Sequence, residues 1–203
     1  MNSGFSATQS ILLLSLQSVG VLFWKYQNSA PQRLGGAISM VKAHWLVFTV
    51  SLWIVTPVML AIYAEISEPL FRWMVTLLAV SMTCRAVVEL YLCMIVKKWK
   101  VVYGLAHNFV HAFILIACIT AQLMANDSLL TNFSLILLGL SLSSLFTEIL
   151  FVFWFKKNTE GPEKGIYFVS DDERHKPINR KTLYIFLPQY LLFLGLLISG
   201  ILD

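Results

Sequence analysis

The sequence predicts an all-α, polytopic integral membrane protein: a six-transmembrane-helix bundle forming one domain over residues 1–203. Three observations carry that expectation. The chain of 203 residues is 58% hydrophobic and only 13% charged, far from the balance of a soluble domain. Apolar runs long enough for the about 20 helical residues that roughly 30 Å of hydrocarbon requires can be drawn six times. The basic residues are gathered between those runs rather than spread along them.

The first span runs from Phe5 to Trp24. No positive residue precedes it and Lys25 follows it directly, so it reads as a retained helix and not as a cleaved signal peptide. The second is drawn from His44 to Ala64, the third from Phe71 to Val96 and the fourth from Tyr103 to Ala125. The fifth covers Leu129 to Phe155, and the sixth Thr182 to Leu202. In the sixth, Pro188-Gln189 predicts a kink that can open a lateral path for a lipid. Between the last two lies the one sizeable loop, Lys156 to Lys181. It has a turn at Gly161-Pro162 and a charged run, "SDDERHK", after "GIYF", whose Ile166, Tyr167 and Phe168 are expected to dip into the headgroups.

Trp45, Trp53, Trp73, Trp99 and Trp154 stand mostly near span ends and fit an aromatic belt. Cys84, Cys93 and Cys118 fall within spans, where a thiol behaves as a small apolar side chain, and they imply no disulfide framework or zinc knuckle. The triplets beginning at Asn126 and Asn132 read as glycosylation sequons but carry little weight.

Orientation follows from the basic loops. Lys25, Arg33 and Lys42, then Lys97, Lys98 and Lys100, then Lys156, Lys157, Lys164, Arg174, Lys176, Arg180 and Lys181 account for 13 of the 15 Lys and Arg. Lys and Arg collect on the cytoplasmic side, which places both termini outside, periplasmic or lumenal. The net charge of +4 is therefore assigned to topology and to membrane lipids, and nucleic acid is not expected as a partner. Without an inverted repeat the common transporter architectures lose support.

An ionised side chain costs roughly 3 kcal/mol or more at mid-helix, so such residues turn to the bundle interior and find partners. Counting 1.5 Å per residue from the flanking lysines places Glu89, His107 and Glu148 about 10–12 Å deep in one layer. Arg85 and His111 lie about one turn deeper. Arg85 and Glu89 are four apart, as are His107 and His111, so each pair shares a helix face. A stripe Tyr103, His107, His111, Cys118 and Gln122 on the fourth span faces a small-residue stripe, Ser141, Ser144, Thr147 and Glu148, on the fifth.

The leading function expected from these residues is a membrane-embedded enzyme acting on a lipid-like or isoprenoid-like substrate. Its catalytic groups would be Glu89, Glu148 and Arg85. His107, His111, Glu89 and Glu148 can supply nitrogen and oxygen ligands to zinc, iron or manganese, and such a metal can activate water or oxygen. The motif lacks the second-position Glu of the zinc proteases. His44 and the run Asp171, Asp172, Glu173 and His175 would cap the site. Without a metal, Glu89 or Glu148 serves as general acid with His107 as its partner.

In a second reading the chain is a non-catalytic subunit of a membrane complex, binding partner subunits, haem or quinone. His44 and His107 would then be axial ligands of a b-type haem, with Arg85 and His111 donating to quinone. A proton-coupled carrier is the third reading. The plainest account of Arg85 and Glu89 is a structural pair that neutralises itself.

Overall fold

A computed structural model of the chain describes residues 5–30, 38–63, 68–96, 101–124, 128–158 and 176–202. Among the described residues all regular structure is helical, and six helices are long and apolar enough to cross a membrane. Helix α1 is Ala7–Ser29. Helix α2 is Met40–Val50, runs through a π-helical segment, Ser51–Val55, and continues as Thr56–Tyr63. Helix α3 is Pro69–Tyr91, closing in a second π-helical segment, Leu92–Val96. Helices α4, α5 and α6 are Val101–Met124, Ser128–Asn158 and Lys176–Leu202.

Several ends differ from the apolar boundaries. Helix α1 continues past Lys25 to Ser29, and α6 begins at Lys176 rather than Thr182. Lys and Arg are good helix formers, so a helix need not stop where its apolar stretch does. Arg33, Lys97, Lys98, Trp99, Lys100, Asn126 and the loop 159–175, with its Gly161-Pro162 turn and Asp171, Asp172, Glu173 and His175, lie outside the described residues.

Local signals fix the starts. Ser6 and Gln9 form a capping box on α1, each side chain accepting from the other's backbone N–H at 3.3 and 2.9 Å; two otherwise orphaned donors are satisfied. Asn28 clamps the backbone of Ile38, donating to its carbonyl at 3.0 Å and accepting from its N–H at 2.8 Å. This ties the end of α1 to the approach of α2. Pro69 opens α3 at a position where its missing N–H costs nothing.

The helices form a closed arrangement in which α2 and α5 are the most enclosed. Helix α1 packs on α2 and α6, α3 on α2 and α4, and α5 on α4, α6 and the π segment of α2. At the α2–α6 contact Phe48, fully buried, meets the rings of Phe186, Tyr190 and Phe193 at 5.3, 5.8 and 5.6 Å, all edge-on. The outward faces carry Trp73, Phe109, Phe113 and Leu191, each more than half exposed; such faces suit hydrocarbon rather than water.

Polar side chains also join helices. Gln17 of α1 donates to Ser51 of α2 at 2.8 Å, and Ser51 donates to Val47 O at 2.8 Å. Gln189, beside Pro188 in α6, donates to Ser143 and Thr147 of α5 at 2.7 and 3.1 Å. The stripe on α5 is turned inward, with Ser141, Ser144 and Thr147 all buried. Ser141 reaches the carbonyl of Leu52, inside the α2 π segment, at 3.5 Å. A π turn disturbs the regular i→i−4 ladder, and a neighbouring hydroxyl here meets one of its carbonyls.

Candidate functional site

The polar interior centres on Arg85, one of six apolar-face positions of α3 (Phe71, Val75, Leu78, Ala79, Met82 and Arg85) that are buried. Its side chain, 4% exposed, draws three acceptors from three helices. Nε donates to Glu89 Oε1, one turn along α3, at 2.9 Å. Nη1 donates to Asn108 Oδ1 of α4. Nη2 donates to both carboxylate oxygens of Glu148 on α5, at 3.1 and 3.3 Å. The guanidinium plane lies over the ring of Trp53 in the α2 π segment, 4.8 Å from its centroid. Four helices therefore meet on one cation, through charge-assisted hydrogen bonds and a cation–π contact.

By helix rise alone Arg85 lies a turn further in than Glu89 and Glu148. The long arginine side chain closes that gap, since a turn is about 5.4 Å. The carboxylates differ in setting: Glu148 is clamped by two contacts, whereas Glu89 uses Oε1 for Arg85, and that same oxygen stands 3.8 Å from His107 Nδ1. His107 is 39% exposed and Glu89 22%, so this pair forms the open edge of the cluster.

Helix α4 buries three of the five expected stripe residues, His111, Cys118 and Gln122, and departs from the stripe in its first turns. Its buried positions include Gly104, Asn108, His111, Leu115, Cys118 and Gln122, at alternating steps of four and three, with Ala121 beside the last, the pattern of a packed helix face. Tyr103 is exposed and His107 sits at the edge. Asn108, fully buried, takes the inward place next to Arg85. Asn108, being uncharged, is not marked by a search for ionisable residues, but the alternation of three and four steps along α4 points to it. Trp53, read as a belt anchor, is instead 94% buried against Arg85, its exposure being 6%.

The other candidates are not gathered. His111 is buried and its Nδ1 lies 2.7 Å from the backbone carbonyl of His107, so that nitrogen is engaged within its own helix. His44 packs against α1, where a Cβ on Gly20 would stand 3.1 Å from its ring, and its Nδ1 lies 2.9 Å from Met40 O. The expected haem pair, His44 and His107, thus faces two different neighbours, α1 and α3. The expected metal set also differs from what the fold assembles. Among the described residues no group of three or more His, Cys, Asp or Glu is placed to hold a metal ion. The carboxylates of Glu89 and Glu148 converge on a guanidinium, and His111 Nδ1 is engaged by its own helix backbone.

No family model matches the chain. Comparison with curated proteins and with solved structures finds no match either. The functional reading therefore rests on the cluster alone.

Chemically, the arrangement offers a fixed cation with two carboxylates and an imidazole at its open side. Such a set can position a carboxyl group and exchange a proton with it. Glu148, Asn108 and Trp53 hold Arg85 from the inside, leaving Glu89 and His107 to meet whatever approaches.

Proposed function

We propose that the chain is a multi-pass membrane enzyme performing acid–base chemistry on a lipid-like or isoprenoid-like substrate, with Glu89 and His107 as the proton-transfer pair. The observation that carries this reading is the partly exposed Glu89–His107 pair, 3.8 Å from Oε1 to Nδ1, at the rim of an otherwise buried ionic cluster. Charge balance supports it. One guanidinium against two carboxylates leaves a net negative charge in a setting where uncompensated charge is costly, and a proton held on Glu89, Glu148 or His107 removes it. A cluster that is neutral only with a mobile proton is suited to give that proton up.

In this reading Glu89 delivers a proton to an apolar substrate at the open edge and His107 replaces it, the division of labour of general acid–base catalysis. Arg85 and Glu148 act as positioning residues, together with Asn108. In this reading the edge lies on the cytoplasmic side with both termini outside, an orientation supported by the gathering of Lys and Arg in the loops between spans. No metal enters the scheme; stoichiometric zinc, iron or manganese lost in His107→Gln and Glu89→Gln would replace it with the metal-dependent version.

The test uses dicyclohexylcarbodiimide, a lipophilic reagent that modifies protonated carboxyl groups in apolar surroundings. Purified protein in detergent is expected to be labelled at Glu89, with Glu148 protected behind Arg85, and His107→Gln is expected to slow labelling several-fold. In parallel, a total lipid extract incubated with the protein should yield a product absent from Glu89→Gln and His107→Gln. Labelling confined to Glu148, or unaffected by His107→Gln, rules out the pairing.

A further inference from the structure

A second polar feature lies apart from the Arg85 cluster, at the start of α6. Lys176, Pro177, Arg180, Lys181 and Tyr184 line an open groove of about 510 Å³. Three of the five are cations, and the first turn of α6 contains no acidic residue. Their geometry is already set. Arg180 Nε donates to Tyr184 Oη at 3.2 Å, and Lys181 Nζ lies 5.5 Å from the ring of Trp154, near the end of α5.

The groove is continuous with an apolar track. Tyr184, Leu187 and Leu191, at helical spacing of three and four, are exposed on the outer side of α6. Trp154 and Tyr184 are residues that favour the membrane–water interface, and α6 is one of the six helices apolar enough to cross a membrane. Cations at the top, aromatic rings at the boundary and a leucine flank beneath match the three parts of an anionic phospholipid: phosphate, glycerol level and acyl chain. Basic pockets at helix ends take such headgroups.

We propose that this groove is a binding site for an anionic phospholipid, its phosphate held by Arg180 and Lys181 and one acyl chain lying along Leu187 and Leu191. A free phosphate would share the cations but gain nothing from the leucines, so the track decides for the lipid. The site is independent of the acid–base reading.

Native mass spectrometry of the detergent-solubilised protein tests it, with phosphatidylglycerol, phosphatidylcholine and inorganic phosphate as probes. The wild-type chain is expected to retain phosphatidylglycerol several-fold more than phosphatidylcholine. Arg180→Gln/Lys181→Gln should abolish that preference, whereas Lys156→Gln/Lys157→Gln, on exposed α5 cations outside the groove, should leave it intact. Equal retention of the two lipids overturns the proposal, as does equal loss in both variants or displacement of phosphatidylglycerol by inorganic phosphate.

Discussion

Replacing Arg85 with methionine tests the physical core of the fold and the site together. The substitution keeps a long apolar stem but strands Glu89 and Glu148, whose side chains are only 22% and 16% exposed. Two charge-assisted pairs disappear, each worth about 1.5–3 kcal/mol, and the carboxylates are left without a counter-ion. Removing one partner of a buried ion pair costs about 3–5 kcal/mol, and partial exposure of the glutamates places Arg85→Met toward the lower part of that range. At 1.4 kcal/mol per tenfold change, this is about a hundredfold or more in the folding equilibrium. The assay is denaturation by sodium dodecyl sulfate from mild mixed micelles, followed by helical circular dichroism. The decisive control is Arg85→Met/Glu89→Gln/Glu148→Gln, which removes the stranded charge as well as the cation. If stranded charge is the cause, the triple variant recovers most of the loss. An Arg85→Met protein within about 1 kcal/mol of wild type, well under that buried-pair cost, or a triple variant no better than the single one, refutes the reasoning.

Other expectations follow from single contacts. Gln189→Leu removes the two hydrogen bonds that hold α6 to Ser143 and Thr147; interhelical bonds in membranes average about 0.6 kcal/mol, so a loss of about 1 kcal/mol should appear in the same assay. Phe48→Ala empties a site bounded by three rings. Its cost in soluble cores is about 3–5 kcal/mol, and without a transfer term from water the lower end is expected here. Gly20→Val places a side chain against the His44 ring, which a Cβ alone would approach to 3.1 Å; overpacking costs about 1–3 kcal/mol, and His44→Ala should relieve it in the double variant. Asn108→Leu removes an acceptor from Arg85 and is expected to cost about 1.5–3 kcal/mol as a bond to a charged group, with Asn108→Asp damaging the cluster by adding a third carboxylate.

Much of this molecule was legible before any coordinates. Hydrophobic runs fix helix number and length, because a backbone in hydrocarbon has to satisfy its own hydrogen bonds, and ionisable residues inside those runs mark the interior for the same energetic reason. Counting 1.5 Å per residue puts Glu89 and Glu148 at one depth and Arg85 about a turn deeper, and the structure joins all three through the long arginine side chain. What counting could not supply was rotation. A heptad-like face drifts away from a strict i, i+4 line, so Asn108 rather than His107 points inward, and His111, although buried, is bonded to its own helix backbone.

The sequence by itself determined that six apolar helices form and that charge lies within them, since both depend only on local composition and helix rise. Only the tertiary structure decided what the charge meets. Which side chain faces which helix depends on packing rotation and on the α2 π segment that presents Trp53 to Arg85, and neither is written in any one span. That is why a presumed ligand set of two histidines and two carboxylates became, in three dimensions, two carboxylates and an asparagine around an arginine, with one histidine at the rim.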